Sequence, residues 1–162
     1  MVSPLVTIYE NPEENKNYFI TDDGFRAKNE VYVERGVLKK FSLSLYGSNK
    51  TDLPRALSSG ECATVAPSET HFDDIIKGVK RGLLLCRFSG GNPNENGDFS
   101  GVAKNSFYIE DGKIMYPVNE TMITGNILEI FKNVDAVSVE VSGSDRVKSP
   151  WIRSKGINIT SV

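Results

Sequence analysis

The side chains in this sequence that could carry out catalytic chemistry are few and widely separated. His71 is the only histidine, and Cys62 and Cys86 are the only cysteines. A zinc site needs three or four His, Cys or carboxylate ligands within reach, and a helix often supplies two of them from a motif such as HExxH. No such motif occurs in the sequence. We therefore predict no metal ligands and no catalytic residue in this chain.

His71 and the two cysteines each allow a second interpretation. His71 could act as a general base, or could activate Cys62 or Cys86 as a nucleophile. The simpler interpretation, which we favour, is that His71 is a solvated residue at the start of a helix. Cys86 lies in the apolar run Leu83–Phe88, so we expect a buried thiol that behaves as a small apolar side chain.

A polar, glycine-rich segment invites comparison with phosphate-binding loops. It runs from Ser89 to Gly101 and reads SGGNPNENGDFSG. A P-loop requires GK[ST] at the start of a helix, whereas here a strand-like run follows and no Lys stands beside the glycines. The segment therefore predicts a long hairpin connection. The alternative is a loop that places backbone amides, Asp98 and Ser100 beside a cleft.

Two segments of similar pattern predict β-hairpins. They are EVYVERGVLKKF, from Glu30 to Phe41, and SFYIEDGKIMYP, from Ser106 to Pro117. In each, a two-residue turn with glycine second, Arg35-Gly36 or Asp111-Gly112, suits the positive φ angles of a type I′ turn. The repetition is typical of units that build a sheet. A duplicated functional element is the alternative.

The remaining pattern predicts an α+β fold that is rich in β-structure, with a largely antiparallel sheet and two or three short helices. The strand candidates are Leu5–Tyr9, Glu30–Val33, Leu38–Leu45, Leu83–Phe88, Phe99–Glu110, Lys113–Val118, Ala136–Val141 and Ile157–Thr160. One helix is predicted from a Thr70 cap to a C-terminal end at Gly82, with Ile75 and Ile76 on its apolar face, and others over Thr124–Val134 and Leu53–Ser59. The paired acids Asp22-Asp23 and Asp73-Asp74 are interpreted as solvated turn and helix residues. The loosest stretches are Glu10–Asn17, Ser89–Gly97 and Ser142–Ser149.

Composition narrows the classes of protein to consider. The chain has 162 residues, of which 39% are hydrophobic and 25% charged, which suits one globular domain. The net charge of -2 argues against nucleic acid as a partner, because duplex binding depends on Lys and Arg at phosphates. No apolar run is long enough to cross a membrane, and the first residues lack a secretory pattern. We therefore expect a cytoplasmic protein that binds neither nucleic acid nor membrane.

An ordered series of motifs resembles a known family. An Arg-Gly and an apolar strand at Arg81 are followed by GDFS, an aromatic strand with E-x-G, a Pro-Val, T-x-x-GN, an apolar helix and a last strand. This order resembles the C-terminal domain of the TldD/TldE family of proposed modulators of DNA gyrase, whose TldE branch is also called PmbA. Upstream, ITDDGFRAKNEVYVERGVLKKF is similar to the family's acidic segment and first hairpin, so the resemblance covers nearly the whole chain.

The resemblance implies one half of a two-subunit zinc peptidase. In that family a TldD subunit carries zinc on an HExxxH helix with a late cysteine, and the TldE subunit has lost these ligands. This sequence has no HExxxH, and its segment from Ser142 to Ile157 contains no cysteine, which resembles TldE. We thus expect a single domain over 1–162 that lacks the family's N-terminal half, as a shortened chain or a stand-alone module.

The implied function is non-catalytic support of a substrate cleft. The expected partner is a TldD-like catalytic subunit or a second copy in a dimer, and the expected ligand is a peptide. No cofactor is expected in this chain, and zinc is expected only in the catalytic partner. The motif positions assign the candidate peptide contacts to Gly97, Asp98, Phe99 and Ser100. The alternative is a binding module that regulates DNA gyrase or another protein without any proteolytic role.

Overall fold

The computed structural model describes residues 1–12, 19–143 and 148–160. The strands are β1 (Ile8–Glu10), β2 (Glu30–Glu34), β3 (Val37–Leu38), β4 (Thr64–Val65), β5 (Arg81–Leu84), β6 (Arg87–Gly90), β7 (Asp98–Lys104), β8 (Ser106–Glu110), β9 (Lys113–Val118), β10 (Thr121–Asn126), β11 (Ala136–Gly143), β12 (Lys148–Arg153) and β13 (Asn158–Thr160). The helices are α1 (Leu45–Thr51), α2 (Phe72–Lys77) and α3 (Ile127–Lys132). The predicted α+β class, rich in antiparallel strands, is confirmed.

The chain falls into two compact units. Unit 1 comprises Met1–Ser68 and Glu140–Trp151, and unit 2 comprises Glu69–Val139 and Ile152–Val162. In unit 1, sheet I has the strand order β3-β2-β1-β4, and its pairs are antiparallel. Strands β11 and β12 pair as a two-stranded sheet, and the division between the units falls within both strands.

Both predicted hairpins are present with the predicted turns. Arg35 and Gly36 have φ angles of 46° and 79°, and Asp111 and Gly112 have φ angles of 44° and 74°. Glu34 therefore pairs with Val37 across one turn, as Glu110 pairs with Lys113 across the other. Positive φ at both central residues is the geometry of a type I′ turn, which explains the glycine in second position.

Unit 2 contains two sheets that share one run of chain. Sheet II has the order β13-β10-β7-β6, and sheet III has the order β5-β8-β9. The chain leaves sheet III after β5 for β6 and β7, returns for β8 and β9, and leaves again for β10. Asn105 and Glu120, both with a φ of 50°, lie at the second and third of these crossings. The predicted strands Leu83–Phe88 and Phe99–Glu110 are each broken at a crossing.

The side chain of Ser106 connects the first crossing with the second through hydrogen bonds. Its hydroxyl donates to the carbonyl of Lys104 at 2.8 Å and accepts the backbone N–H of Cys86 at 3.2 Å. Ser106 is fully buried, and a buried hydroxyl with both a donor and an acceptor partner is satisfied. The side chain thus fixes the point where β5 ends against the point where β8 begins.

The most regular predicted helix is present but shorter than expected. Ile75 and Ile76 are buried on α2 as predicted, whereas the N-cap is His71 rather than Thr70. The backbone of Thr70 is instead committed to β11, because its carbonyl accepts the N–H of Val139 at 2.8 Å. The helix ends at Gly78, well before Gly82, and Arg153 donates from Nη1 to the carbonyl of Ile75 at 3.0 Å.

The other two helix predictions are wrong in extent or place. The predicted helix Thr124–Val134 is a strand up to Asn126, whose side chain then caps α3 by accepting the N–H groups of Leu128 and Glu129. Leu53–Ser59 is not helical; the helix lies earlier, at Leu45–Thr51, and of the predicted strand Leu38–Leu45 only Leu38 is in a strand. Because α1 has no buried residue, it has no apolar periodicity by which to recognise it.

Parts of two stretches that were predicted to be loose lie outside the described residues. They are 13–17 within Glu10–Asn17 and 144–147 within Ser142–Ser149.

Candidate functional site

The predicted peptide contacts lie where the loop after β6 enters β7. The loop is a hairpin connection, as expected, since β6 pairs antiparallel with β7 up to Gly90 and Gly101. The side-chain oxygen of Asn94 accepts the N–H groups of Asn96 at 3.0 Å and Asp98 at 2.9 Å. This Asx-type turn closes the loop tightly against the start of β7.

The loop is also bound to the cap of α3. Asn126 donates from Nδ2 to the carbonyl of Asn96 at 2.9 Å and to the Asp98 carboxylate at 2.8 Å. The main-chain groups of Gly97 are used as well, because its N–H donates to Asn94 and its carbonyl accepts the N–H of Ile127. Asn126 therefore both holds the loop and caps α3, and its side-chain amide orients the Asp98 carboxylate.

Strand alternation separates the three predicted contacts that lie on β7 onto two faces of sheet II. Asp98 and Ser100 are exposed and pair with Asn126 and Thr124 on one face. Phe99 lies on the opposite face, where its ring meets that of Phe88 edge to face at 5.7 Å. Side chains of successive strand residues point to opposite faces. Asp98 and Ser100 therefore share the polar face, and Phe99 packs against Phe88 on the other.

A groove that the sequence did not indicate lies within unit 2. Its volume is about 620 Å³, within the range of about 300–1,000 Å³ that is common for ligand sites. One wall is a face of sheet III, with Arg81 and Leu83 on β5, Tyr108 on β8 and Tyr116 on β9. Ile159 on β13 also lines the groove. None of the four predicted contacts lines it.

Two stacked tyrosines give this wall a flat aromatic surface. The rings of Tyr108 and Tyr116 are 5.2 Å apart and inclined by 29°. The hydroxyl of Tyr108 donates to the Glu110 carboxylate at 3.3 Å. Burial raises the pKa of the Tyr108 phenol above its ordinary value, and the negative charge of Glu110 raises it further. Tyr108 is therefore a neutral hydrogen-bond donor near pH 7.

A register shift explains why the sequence did not reveal this pair. Counting outward from the two-residue turn places Tyr108 opposite Met115. The structure has an irregularity between Phe107 and Ile109, so Phe107 pairs with Pro117 and the tyrosines become neighbours. A bulge adds one residue to one strand and redirects the side chains beyond it. The sequence shows a tyrosine on each side of Asp111-Gly112, but it does not show the register that makes the two neighbours.

The structure corrects the prediction for Cys86. The thiol was expected to be buried in a continuous strand, but Cys86 is exposed because the chain is crossing from sheet III to sheet II at that point. Cys62 is buried, and the two are not joined by a disulfide. His71 is exposed at the N-cap of α2, in agreement with a solvated helix residue.

A buried polar cluster occupies unit 1. Glu10 and Glu30 face each other across β1 and β2 and are 1% and 4% exposed. The Glu10 carboxylate accepts the N–H groups of Gly60 at 2.8 Å and Cys62 at 3.0 Å, and the hydroxyl of Tyr32 at 3.3 Å. Buried carboxylates are stable only when such donors satisfy them. The cluster fastens the segment before β4 onto sheet I.

The described residues do not fit a zinc site. Within 1–12, 19–143 and 148–160, no group of three or more His, Cys, Asp or Glu side chains is placed to bind a metal ion. Tetrahedral zinc needs three or four such ligands.

None of the helices in the described ranges has the length and apolar character that a bilayer span requires.

Comparisons with known proteins define the class of this domain. Residues 1–161 match the family described as the PmbA/TldA metallopeptidase C-terminal domain. A metalloprotease of Methanothermobacter thermautotrophicus is 33% identical over 155 residues, which cover 85% of this chain and 33% of that protein. The chain is thus a domain of the class that this family model describes.

Two solved structures have the same fold. A proposed modulator of DNA gyrase from Bacteroides thetaiotaomicron aligns with a TM-score of 0.85 at 23% identity, covering 99% of this chain and 38% of that one. TldE from Thermococcus kodakarensis aligns with a TM-score of 0.79 at 22% identity, covering 99% and 40%.

The chain belongs to the PmbA/TldD family and corresponds to its C-terminal domain. It spans about a third of the length of the curated relatives that it matches.

Proposed function

We propose that this chain is the C-terminal domain of a TldE-like, non-catalytic subunit that supports the substrate cleft of a two-subunit zinc peptidase. The observation that carries the proposal is the composition of the domain within a metallopeptidase family. It has one histidine, which is exposed at a helix N-cap, and its described residues assemble no set of metal ligands. Zinc and its ligands would come from a TldD-like partner, or the chain would associate with a second copy of itself.

The proposed contribution to the cleft is the polar face of sheet II. Asp98 and Ser100 are exposed there, and Asn126 holds the Asp98 carboxylate at 2.8 Å. A carboxylate held in this way and the exposed hydroxyl of Ser100 can hydrogen-bond a peptide, whereas β7 itself cannot pair with one because it lies between β6 and β10. Gly97 and Phe99 shape the entry to β7 rather than touching the peptide.

The proposal is tested by assaying an unstructured peptide with the chain alone, with the rest of its subunit and a zinc-bearing TldD-like partner, and with the same complex carrying Asp98→Ala and Ser100→Ala. We expect no cleavage by the chain alone, cleavage by the complex, and weaker turnover by the double variant with the zinc content unchanged. Chelator-sensitive cleavage by the chain alone would disprove the non-catalytic role. Full activity of the double variant would disprove only the assignment of Asp98 and Ser100.

A matched control for these substitutions is Ser89→Ala. Ser89 lies on the same face of sheet II, but on the edge strand β6. We expect this variant to retain full turnover.

The alternative is a regulatory domain that binds DNA gyrase without proteolysis, which the description of the Bacteroides thetaiotaomicron structure suggests. Copurification separates the two possibilities. Recovery of a zinc-bearing partner supports the peptidase role, and recovery of gyrase alone supports the regulatory one.

A further inference from the structure

The groove of unit 2 has the composition of a site for an apolar ligand that carries one negative charge. Of the described residues that line it, Arg81 alone is charged near pH 7. No ion pair to Arg81 forms within the described part of the chain. A guanidinium group in this position can bind a carboxylate through two parallel hydrogen bonds.

An acidic residue stands beside Arg81 without pairing with it. Glu110 lies directly opposite Arg81 across β5 and β8, but its carboxylate accepts the hydroxyl of Tyr108 and forms no ion pair with Arg81 among the described residues. The guanidinium group of Arg81 can therefore bind an external anion. The groove carries one positive charge, at Arg81, and the rest of its lining is mainly apolar or aromatic, with Asn119 and Thr121 as further polar residues.

The apolar part suits a large side chain. Tyr116 is 56% exposed and Ile159 is 46% exposed, although both line a concave surface. A ligand side chain inserted between the tyrosine stack and Ile159 would remove apolar area from water, at roughly 25 cal/mol per Å². An aromatic side chain would also gain from stacking on the tyrosines.

An extended peptide also finds main-chain partners beside the groove. β13 is the outermost strand of sheet II, so one row of its N–H and C=O groups is not used within the sheet. β9 is the outermost strand of sheet III but contains Pro117, which cannot donate a hydrogen bond. β13 is therefore the better strand for peptide addition.

We propose that this groove binds the C-terminal end of an extended peptide, with the terminal carboxylate on Arg81 and an aromatic or large aliphatic last side chain between Tyr116 and Ile159. This site is separate from Asp98 and Ser100, because Ile159 points to the opposite face of sheet II. It rests on the proposed function only in taking the ligand to be a peptide.

The test measures fluorescence anisotropy with the chain alone and a fluorescein-labelled hexapeptide of glycine and serine that ends in phenylalanine. The free acid should bind about tenfold or more tightly than the same peptide with a C-terminal amide, because the carboxylate pairs with a guanidinium. A peptide that ends in glycine should bind more weakly than either. Equal affinity for acid and amide, or no binding of either, would overturn the proposal.

Matched variants assign the two contacts. Arg81→Gln should remove the preference for the free acid, whereas Arg87→Gln, which changes an exposed strand arginine outside the groove, should retain it. Tyr116→Ala should weaken binding of acid and amide alike, and Tyr46→Ala, at a residue 70% exposed in unit 1, should not. An unchanged preference in Arg81→Gln would refute the carboxylate contact. Thermal unfolding midpoints check that each variant is folded.

Competition distinguishes a peptide from a small carboxylate. N-acetylphenylalanine should compete much more weakly than the hexapeptide, because it lacks the main chain that pairs with β13. Competition equal to that of the hexapeptide would show a small-molecule site and overturn the peptide assignment. These measurements need no zinc and no partner, so their failure leaves the proposed role in the two-subunit peptidase standing, and failure of the turnover assay leaves these results standing.

Discussion

The two hairpins have the same turn and put the same side chain to different uses. Tyr32 and Tyr108 each stand three residues before the first turn residue. Tyr32 is 7% exposed, and its hydroxyl lies 2.6 Å from that of Ser58 within the buried cluster of Glu10. Tyr108 is half-buried on the wall of an open groove. The turn sequence thus determines the backbone of each hairpin. The elements that cover each strand determine whether its tyrosine stabilises the fold or is available to a ligand.

The surroundings of the two turn glycines differ as well. A Cβ on Gly36 would overlap the carbonyl oxygen of Val2 and lie 2.8 Å from that of Ser3. A Cβ on Gly112 would lie 2.9 Å from the carbonyl oxygen of Lys77. Backbone atoms cannot move aside as the end of a flexible side chain can. Each turn is therefore enclosed by main chain, and the first more tightly than the second.

The largest effect is expected at these glycines. Gly36→Val should lower the free energy of unfolding by about 3 kcal/mol or more and Gly112→Val by about 2 kcal/mol, because overlap with backbone adds to the strain of positive φ. Urea denaturation measures both. Gly24→Val is the control, since Gly24 has a φ of 80° but nothing within 4 Å of its Cβ position, and should cost about 1 kcal/mol. Equal costs at all three glycines would show that enclosure contributes nothing.

A smaller effect separates the two tyrosines. Tyr32→Phe should cost about 1–3 kcal/mol, because it leaves Ser58 and Glu10 each short of a buried hydrogen bond. Tyr108→Phe should cost less than about 0.5 kcal/mol, because Glu110 is exposed and water can replace the hydroxyl. Both variants keep the ring, so packing is preserved. Equal destabilisation would mean that the two hairpins do not differ as described.

The smallest effect is a difference in alkaline stability. Burial raises the pKa of the Tyr32 phenol above its ordinary value, the hydrogen bond from Ser58 opposes this, and the charge of Glu10 adds to it. A group with a raised folded-state pKa contributes stability that is complete below its unfolded pKa, about 10, and is lost as the pH rises through the folded value. The chain should therefore lose stability above about pH 10.

The control for this pH dependence is Tyr32→Phe, which should lose less free energy of unfolding between pH 8 and pH 10.5 than the unsubstituted chain. Tyr108 also has a raised pKa, so some loss should remain. An identical decline in both proteins would exclude Tyr32 as its source.

Local signals predicted the hairpins and the class of fold. The turns Arg35-Gly36 and Asp111-Gly112 and the strand Lys113–Val118 were predicted correctly, because a two-residue turn and its strands are determined by neighbouring residues. Ile75 and Ile76 were placed correctly because an amphipathic helix shows its period. These features need no knowledge of the rest of the chain.

Features that depend on distant partners were not predictable. Cys86 is exposed because of a crossing between sheets, and Thr124 is in a strand because it pairs with Ser100. The groove depends on the bulge near Tyr108, which brings together residues from β5, β8, β9 and β13. The contacts at Asp98 and Ser100 and the single-domain boundaries stay predictions. The wrong predictions for Cys86 and Thr124 have the same cause, since tertiary pairing overrides local preference.

The three crossings between sheets II and III also determine how unit 2 comes apart. Each sheet takes strands from both sides of the second crossing, between β7 and β8, so a strand lost from one sheet strains the other. Ser106 reinforces this coupling by bonding the end of one strand to the start of another. The two sheets therefore form a single cooperative folding unit, and the amides of Ile109 in sheet III and Ile123 in sheet II should exchange with solvent through the same opening event.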